Sequence, residues 1–333
     1  MNRADWISIW VELGESMRPG NEGLEAIIRQ TEQANGWFTA AYQWQAIDHI
    51  RNNWLQARAL EDWLLPYQLP VNVPGRIGLI PAGNIPLVGM HDLLSVMMAG
   101  HTALVKPSSK DPFFLPWLRN QLQGIAPEAA DRFLLVEKLA EFDAVIATGS
   151  DNSSRYFEYY FGKYPHIIRR NRSSAAILDG SETEEQLIAL GSDIFTYFGL
   201  GCRNVSKLYL PAGYDPSRLL SLWEVFGSVR DHHKYRNNLD YNLTLLLLNN
   251  SRHLAADYLI LAENEALHAP LATVYYQHYQ DEDELRLQLE ALAGNLQCVV
   301  SVKPGNTLPG TTQQPGLSDY ADHVDTLTFL QDI

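Results

Sequence analysis

Cys202 has the most reactive setting in the chain. It follows Gly199-Leu200-Gly201, between a helix-compatible stretch and a β-rich run, and Arg203 and Asn204 come directly after it. Glycines let the backbone approach a ligand closely, and neighbouring amides and a cation lower a thiol's pKa toward the nucleophilic thiolate. A small buried cysteine is the competing reading. Cys298 serves as an internal control, because it lies inside the apolar run 296–302, the setting of an inert core thiol.

Two further segments put polar groups at the ends of β-rich runs. In 80–109 a run ends at Pro81, the small residues Ala82 and Gly83 follow, and Asn84 stands where a helix is expected to begin. Its amide either caps that helix or points into the crevice at the strand's carboxyl end. Lys106 ends the next run at the same sheet edge, placed for a ribose hydroxyl or phosphate, or simply solvated. In 144–157, Thr148-Gly149-Ser150 precedes a polar helix start, where free N–H groups and the helix dipole would receive phosphate. No Gly-x-Gly-x-x-Gly occurs, so the standard dinucleotide fingerprint is missing.

The elements that must position these groups follow from pattern. The chain has 333 residues, 46% hydrophobic and 19% charged, with 22 Gly and 17 Pro, which suits a globular protein of two domains. Disordered and collagen-like classes are excluded. With 25 Lys and Arg against 39 Asp and Glu, the net charge of −14 would repel a polyphosphate backbone, so no nucleic-acid partner is expected. Two cysteines are too few for a disulfide framework and suit a reducing compartment. The first 20 residues carry acids where a secretory segment needs an unbroken apolar stretch, and no apolar run approaches the roughly 20 residues that span a bilayer. A cytoplasmic protein with no membrane span is expected.

The spacing of Trp37, Tyr42, Trp44, Ile47, Ile50 and Trp54 predicts amphipathic helices, which the prolines of 66–75 interrupt. β-rich runs at 76–81, 102–107, 143–148, 175–179 and 205–211 alternate with helix-compatible stretches at 86–99, 112–123, 128–140, 151–161 and 181–198. That alternation predicts βαβ units and a parallel sheet with helices on both faces. Strands at 243–248, 257–262, 273–279 and 296–302, with a charged helix over 281–294, form a second α/β unit, and the turn-rich tail from 304 is expected to pack back on the body. No metal-ligand spacing accompanies His232 and His233, so no metal is expected.

Taken in order along the chain, these segments resemble the aldehyde dehydrogenase superfamily. Its Asn-x-Pro reads here as Asn84-Ile85-Pro86, its Ala-Gly-Asn-Thr as Ala99-Gly100-His101-Thr102, and its Lys-Pro-Ser as Lys106-Pro107-Ser108. Its Thr-Gly-Ser reads as Thr148 to Ser150, and its Gly-x-x-Cys as Gly199 to Cys202. Within that superfamily the sequence is most similar to the long-chain acyl-CoA reductases of the LuxC type, the bioluminescence fatty-acid reductase. Segments 232–242 and 317–330 add to the likeness, which spans about residues 76–330.

The resemblance implies an α/β fold with a Rossmann-type parallel sheet over 76–179, completed by the tail from about 308–333. A second, catalytic α/β domain covers 180–307, and an N-terminal helical segment, 1–75, packs on the cofactor domain. It implies NADPH or NADH, held by Pro81, Ala82, Gly83, Lys106, Ser108, Gly149 and Ser150, with Lys106 at the adenosine ribose. Cys202 is then the nucleophile, and the Asn84 amide with the Cys202 N–H forms the oxyanion hole. The substrate is an acyl-CoA or an acyl-carrier protein, and a homodimer is compatible with the family.

Relatives that hydrolyse their acyl-enzyme use a Glu to activate water; that place falls here on Ile168, between Ile167 and Arg169, none of them a base. Reduction of an acyl thioester to an aldehyde is therefore implied over aldehyde oxidation. Ser109, three residues after Lys106, is neutral where NAD-preferring relatives often carry Glu, which leaves room for a 2′-phosphate. Arg169, Arg170 and Arg172 read either as a site for coenzyme or acidic-carrier charges or as a solvated strand edge. Glu224 reads as a helix-surface carboxylate, and His232 and His233 either line the acyl path or donate a proton to the leaving group. Two rival readings keep the fold: an acyl-phosphate reductase, and a cofactor-binding scaffold without catalysis.

Overall fold

The tryptophan-rich N-terminus folds into α1 (Arg3–Ser16), α2 (Glu22–Ala34), α3 (Ala40–His49), extended by a π-helical turn over Ile50–Trp54, and α4 (Ala57–Leu64). Asn2, Asn21 and Thr39 cap the first three, each accepting from a first-turn amide that has no partner within its helix. Trp6, Trp10 and Leu13 put a buried stripe along α1 at helical spacing. Residues 66–75 are irregular, as their prolines require. The computed structural model describes residues 1–333, the side chain of Asp151 excepted.

A parallel sheet follows. Its chain order is β1 (Arg76–Ile80), α5 (Met90–Met98), β2 (Thr102–Val105), α6 (Phe114–Ile125), α7 (Pro127–Ala130), β3 (Phe133–Leu135), β4 (Ala144–Thr148), α8 (Asp151–Phe161) and β5 (His166–Arg169). The spatial order is β3-β2-β1-β4-β5, every pair parallel. The chain winds from β1 to one side and then crosses to the other, so the carboxyl ends of β1 and β4 flank a topological switch point, where open α/β sheets bind ligands. The helix expected over 128–140 is a single turn, α7, with Pro127 in its first turn; β3 then pairs Ala103 with Phe133 through Val105 with Leu135. β3 and β5 escape the sequence pattern: β3 has only three residues, and β5 has just two apolar residues, Ile167 and Ile168, between His166 and Arg169.

The second sheet contains β6 (Ser173–Ile177), β7 (Val205–Pro211), β8 (His253–Ala255), β9 (Ile260–Glu263), β10 (Thr273–Tyr279) and β11 (Leu296–Val300). Their order is β11-β6-β7-β10-β9-β8, parallel except for β8 against β9. Helices α9 (Glu184–Phe195), α10 (Ser217–Leu222), α11 (His233–Leu248) and α12 (Glu282–Leu292) connect them. The strand expected at 243–248 is instead the last turn and a half of α11. Four successive leucines have no period of their own, and leucine extends a helix already begun at the His232 cap and supported by the Arg236–Asp240 pair.

The chain ends in α13 (Thr326–Gln331), and Leu317, Tyr320, Leu327 and Leu330 join the core of the first sheet and the N-terminal helices. Helix α5 is buried from Asp92 through Met98. His101 joins this core by accepting from the Gly75 amide at Nδ1 (2.8 Å) and donating from Nε2 to the Leu330 carbonyl (2.8 Å). The chain thus divides into two units, residues 1–171 with 316–333, and residues 172–315. The boundary falls at 171/172 rather than 179/180 because β6 pairs with β7 and β11, and the returning tail begins at 316 rather than 308.

Candidate active site

The first unit gathers Pro81, Ala82, Gly83 and Asn84 after β1, Lys106 and Ser108 after β2, and Gly149 and Ser150 after β4, all at one edge of one sheet. The loops touch there: a Cβ on Gly83 would lie 2.1 Å from the Ser108 Oγ, and one on Gly89 would lie 2.5 Å from the Pro81 Cβ. Lys106 is exposed, with its amide continuing the ladder to the Leu79 carbonyl (2.9 Å). Ser150 caps α8, accepting from the Ser153 amide (3.3 Å).

Two expectations are corrected at this edge. Asn84 is not a helix cap: it lies in an open bend, and the N-cap of α5 is Gly89, whose chain entry comes through the left-handed Leu87 (φ 59°). The Gly149 amide is not a free phosphate donor either, because it donates to the Arg169 carbonyl (3.3 Å), extending the β4–β5 ladder. Gly149 is needed there for space, since a Cβ would lie 2.7 Å from the Ser153 Cβ.

Sequence reading passed over Asp111, although an Asp before a proline at a helix start is a recognisable turn signal. It lines a small cleft with Pro81, Ala82, Gly89, Ser108 and Phe114, and its carboxylate accepts from the amides of Leu87 and Phe114, so it ties the Asn84 loop to α6. Burial pushes its carboxyl up to about 6, against the lesser opposing pull of those two amides. A carboxyl raised on folding contributes stability that is complete below the unfolded value of 3.8 and is lost as pH rises through about 6. Asp111→Asn is therefore expected to remove that dependence: relative to the native chain its unfolding free energy should gain at most about 3 kcal/mol between pH 4 and pH 7. Urea unfolding at stepped pH measures this, and parallel pH dependences in the two proteins would refute it.

Cys202, half-buried, belongs to the second unit, in the turn that enters β7. The Asn204 amide closes a turn over it by donating to the Gly201 carbonyl (3.1 Å). Before the turn the backbone runs through Tyr197 (φ 54°), Phe198 (φ 57°) and Gly199 (φ 78°), three left-handed residues in succession. For the two aromatic residues that conformation costs roughly 1–2 kcal/mol each, and such strain persists only where surrounding contacts impose it. Both rings are buried, with Phe198 4.4 Å from the His232 ring and 6.0 Å from Tyr235. His232 caps α11 by accepting from the Tyr235 amide at Nδ1, so in that arrangement the neutral ring carries its proton on Nε2.

Cys298 is buried in β11, as its apolar run predicts, yet it is joined to the Cys202 turn. Ser174 Oγ accepts from the Cys298 amide (3.1 Å) and donates to the Cys202 carbonyl (3.0 Å), and Arg203 Nη1 donates to Cys298 Sγ (3.4 Å). Glu224 is a surface carboxylate paired with Arg230 (3.1 Å). The arginine cluster divides. Arg169 is 4% exposed and paired with Asp92 and Thr326 in the first unit's core, so it faces neither solvent nor a phosphate. Arg170 pairs with Glu158 at the surface, and Arg172 donates to the Leu296 carbonyl. Ile168, on β5, brings no carboxylate. Among the described residues no His, Cys, Asp and Glu group could hold a metal ion, and no helix is long and apolar enough to cross a membrane.

No family model matches the sequence. Over 180 residues, 49% of this chain, it is 21% identical to long-chain acyl-protein thioester reductase 2 of Photobacterium leiognathi, a match that spans only 38% of that protein's length. Among solved structures, aldehyde dehydrogenase 21 of Physcomitrella patens, in complex with succinate, superposes with a TM-score of 0.67 at 12% identity, covering 99% of this chain and 83% of that one. An aldehyde dehydrogenase of Bacillus cereus, solved as its NAD+ complex, gives 0.64 at 12% identity, covering 90% and 72%. At such identities the likeness is one of architecture, and it agrees with the two sheets and the switch point described above: the chain has the aldehyde dehydrogenase fold.

Proposed function

We propose that the protein reduces an acyl thioester, carried by coenzyme A or an acyl-carrier protein, to the aldehyde, with NADPH or NADH as reductant and Cys202 as nucleophile. The observation that carries this reading is the Cys202 turn, where strained backbone is held in place by hydrogen bonds around a single thiol. The partial likeness to the Photobacterium leiognathi thioester reductase and the apolar Ile168 point the same way.

The first unit's sheet edge fits a nicotinamide dinucleotide. The switch point supplies the crevice, the Gly83–Ser108 contact keeps the β1 and β2 loops compact, and Lys106 is exposed for ribose or phosphate. At the start of α8 the Ser153 amide is taken by the Ser150 Oγ, and the positive end of the helix dipole there favours an anion. When bound, the reduced nicotinamide supplies the hydride for the acyl carbon.

The chain's own residues do the rest. The Cys202 thiolate adds to the thioester carbonyl, the tetrahedral oxyanion collapses, and the coenzyme leaves as a thiolate that takes up a proton. The resemblance assigns the Asn84 amide to that oxyanion. By the resemblance, Ile168 stands where relatives carry the Glu that deprotonates water, so the acyl-Cys202 thioester persists until it is reduced. The resulting thiohemiacetal then breaks its C–S bond, releasing the aldehyde and restoring the Cys202 thiolate.

Intact-protein mass spectrometry after mixing with a panel of acyl-CoAs, without nicotinamide, tests this. The expected result is one acyl group per chain, mapped to Cys202, with one equivalent of free thiol released. Acylation by acyl phosphates alone, or no adduct with any donor, would overturn it.

A further inference from the structure

We propose that Asn204 is the positioning residue of the Cys202 thiol, an inference that rests on the reading of Cys202 as the nucleophile. Asn204 is 3% exposed, and it handles both polar backbone groups of Gly201, the residue before the cysteine. The Gly201 amide donates to Asn204 Oδ1 (2.8 Å), and the Asn204 amide donates to the Gly201 carbonyl (3.1 Å). The other end of the same side chain donates from Nδ2 to the carbonyls of Asp193 (3.0 Å), Ile194 (3.3 Å) and Thr196 (2.9 Å). These carbonyls close α9, and the last carbonyls of a helix have no acceptor role within it.

One buried amide therefore fastens the cysteine turn to the end of α9 and spans the left-handed run of Tyr197, Phe198 and Gly199. The run folds back on itself, and the Asn204 bonds are what bring residue 201 to the helix end. Ser174 Oγ holds the Cys202 carbonyl from the other side (3.0 Å). With the peptide groups before and after Cys202 both held, the direction of its Cα–Cβ bond is set by the backbone. Three common replacements fail here: aspartate keeps the acceptor but sets an anion against three carbonyls, and serine and alanine are too short to reach both partners.

A buried asparagine can also be merely structural, and the control is in the same unit. Asn242 is 7% exposed and donates from Nδ2 to the Leu271 carbonyl (2.8 Å), joining α11 to the loop before β10. The experiment compares Asn204→Ala, Asn204→Asp and Asn242→Ala. The readouts are Tm, the rate of Cys202 alkylation by iodoacetamide from about pH 6 to pH 10, and kcat and KM with an acyl-CoA.

Misplacing a reacting group by about 1 Å costs on the order of 100-fold. The Asn204 variants should accordingly lose at least about tenfold in kcat with KM little changed, and their alkylation profile should move toward that of an unstructured cysteine. Asn242→Ala should lower Tm while leaving the alkylation profile as in the native chain. A native alkylation profile in either Asn204 variant, or an equal change in Asn242→Ala, would overturn the proposal. If both Asn204 variants fail to fold, hydrogen exchange of the native protein decides: a protected Gly201 amide supports the proposal and exchange at the rate of an open loop overturns it. Alkylation needs no substrate, so a native protein that takes no acyl group would sink the catalytic reading without obscuring this comparison.

Discussion

Cys202→Ala should lose acyl-CoA-dependent oxidation of NADPH by on the order of 10⁴-fold or more, the scale on which removing a covalent nucleophile acts. The loss should fall on kcat and on acylation together, because without the thiol the acyl group has nowhere to reside between departure of the coenzyme and reduction. Cys298→Ala should retain turnover. Cys298 is 6% exposed within β11, and its sulfur accepts from the Arg203 guanidinium, so the substitution removes a packing atom and a weak acceptor. Following nicotinamide absorbance under saturating acyl-CoA separates the two cysteines. Turnover in Cys202→Ala within tenfold of the native rate would end the covalent mechanism, and a dead Cys298→Ala with an unchanged Tm would move the nucleophile to β11.

Arg169→Met should destabilise the first unit by about 3–5 kcal/mol, because it leaves the Asp92 carboxylate buried beside no cation. Arg169 is on the edge strand β5, Asp92 on the buried helix α5 and Thr326 on α13, so one guanidinium ties three elements far apart in sequence. For a unit of this size the loss corresponds to a fall in Tm of about 10 °C. Calorimetry should show it, and the double variant Arg169→Met with Asp92→Leu should recover most of it, since removing both charges leaves no carboxylate to compensate. A single variant that keeps its Tm would contradict the buried pairing.

The contrast between Arg169 and Cys202 shows what local pattern can carry. The strands at 76–80, 102–105, 144–148, 205–211 and 273–279 are readable because buried β-rich runs bounded by turn residues are a local property. Their alternation with helices sets the parallel architecture, and with it the sheet edge that collects Pro81, Asn84, Lys106, Ser108 and Gly149. The glycines before Cys202 and the apolar run around Cys298 likewise separate the two thiols without any structure.

The arginine cluster carried no such signal, because burial of Arg169 depends on Asp92 and Thr326, 77 and 157 residues away. Similarly, only strand pairing assigns β6 to the second sheet, only the β4–β5 ladder occupies the Gly149 amide, and only the fold brings Asn204 to the end of α9. By itself the sequence determined the longer parallel strands, the helices between most of them and which strand ends carry reactive groups, since those follow from periodicity and turn chemistry within a few residues. The leucines of 243–248 and the short β3 and β5 lay beyond that reach. Tertiary structure decided which polar groups are occupied, which charges are buried and which side chain holds the thiol, because each of these is a contact between residues that local pattern cannot bring together.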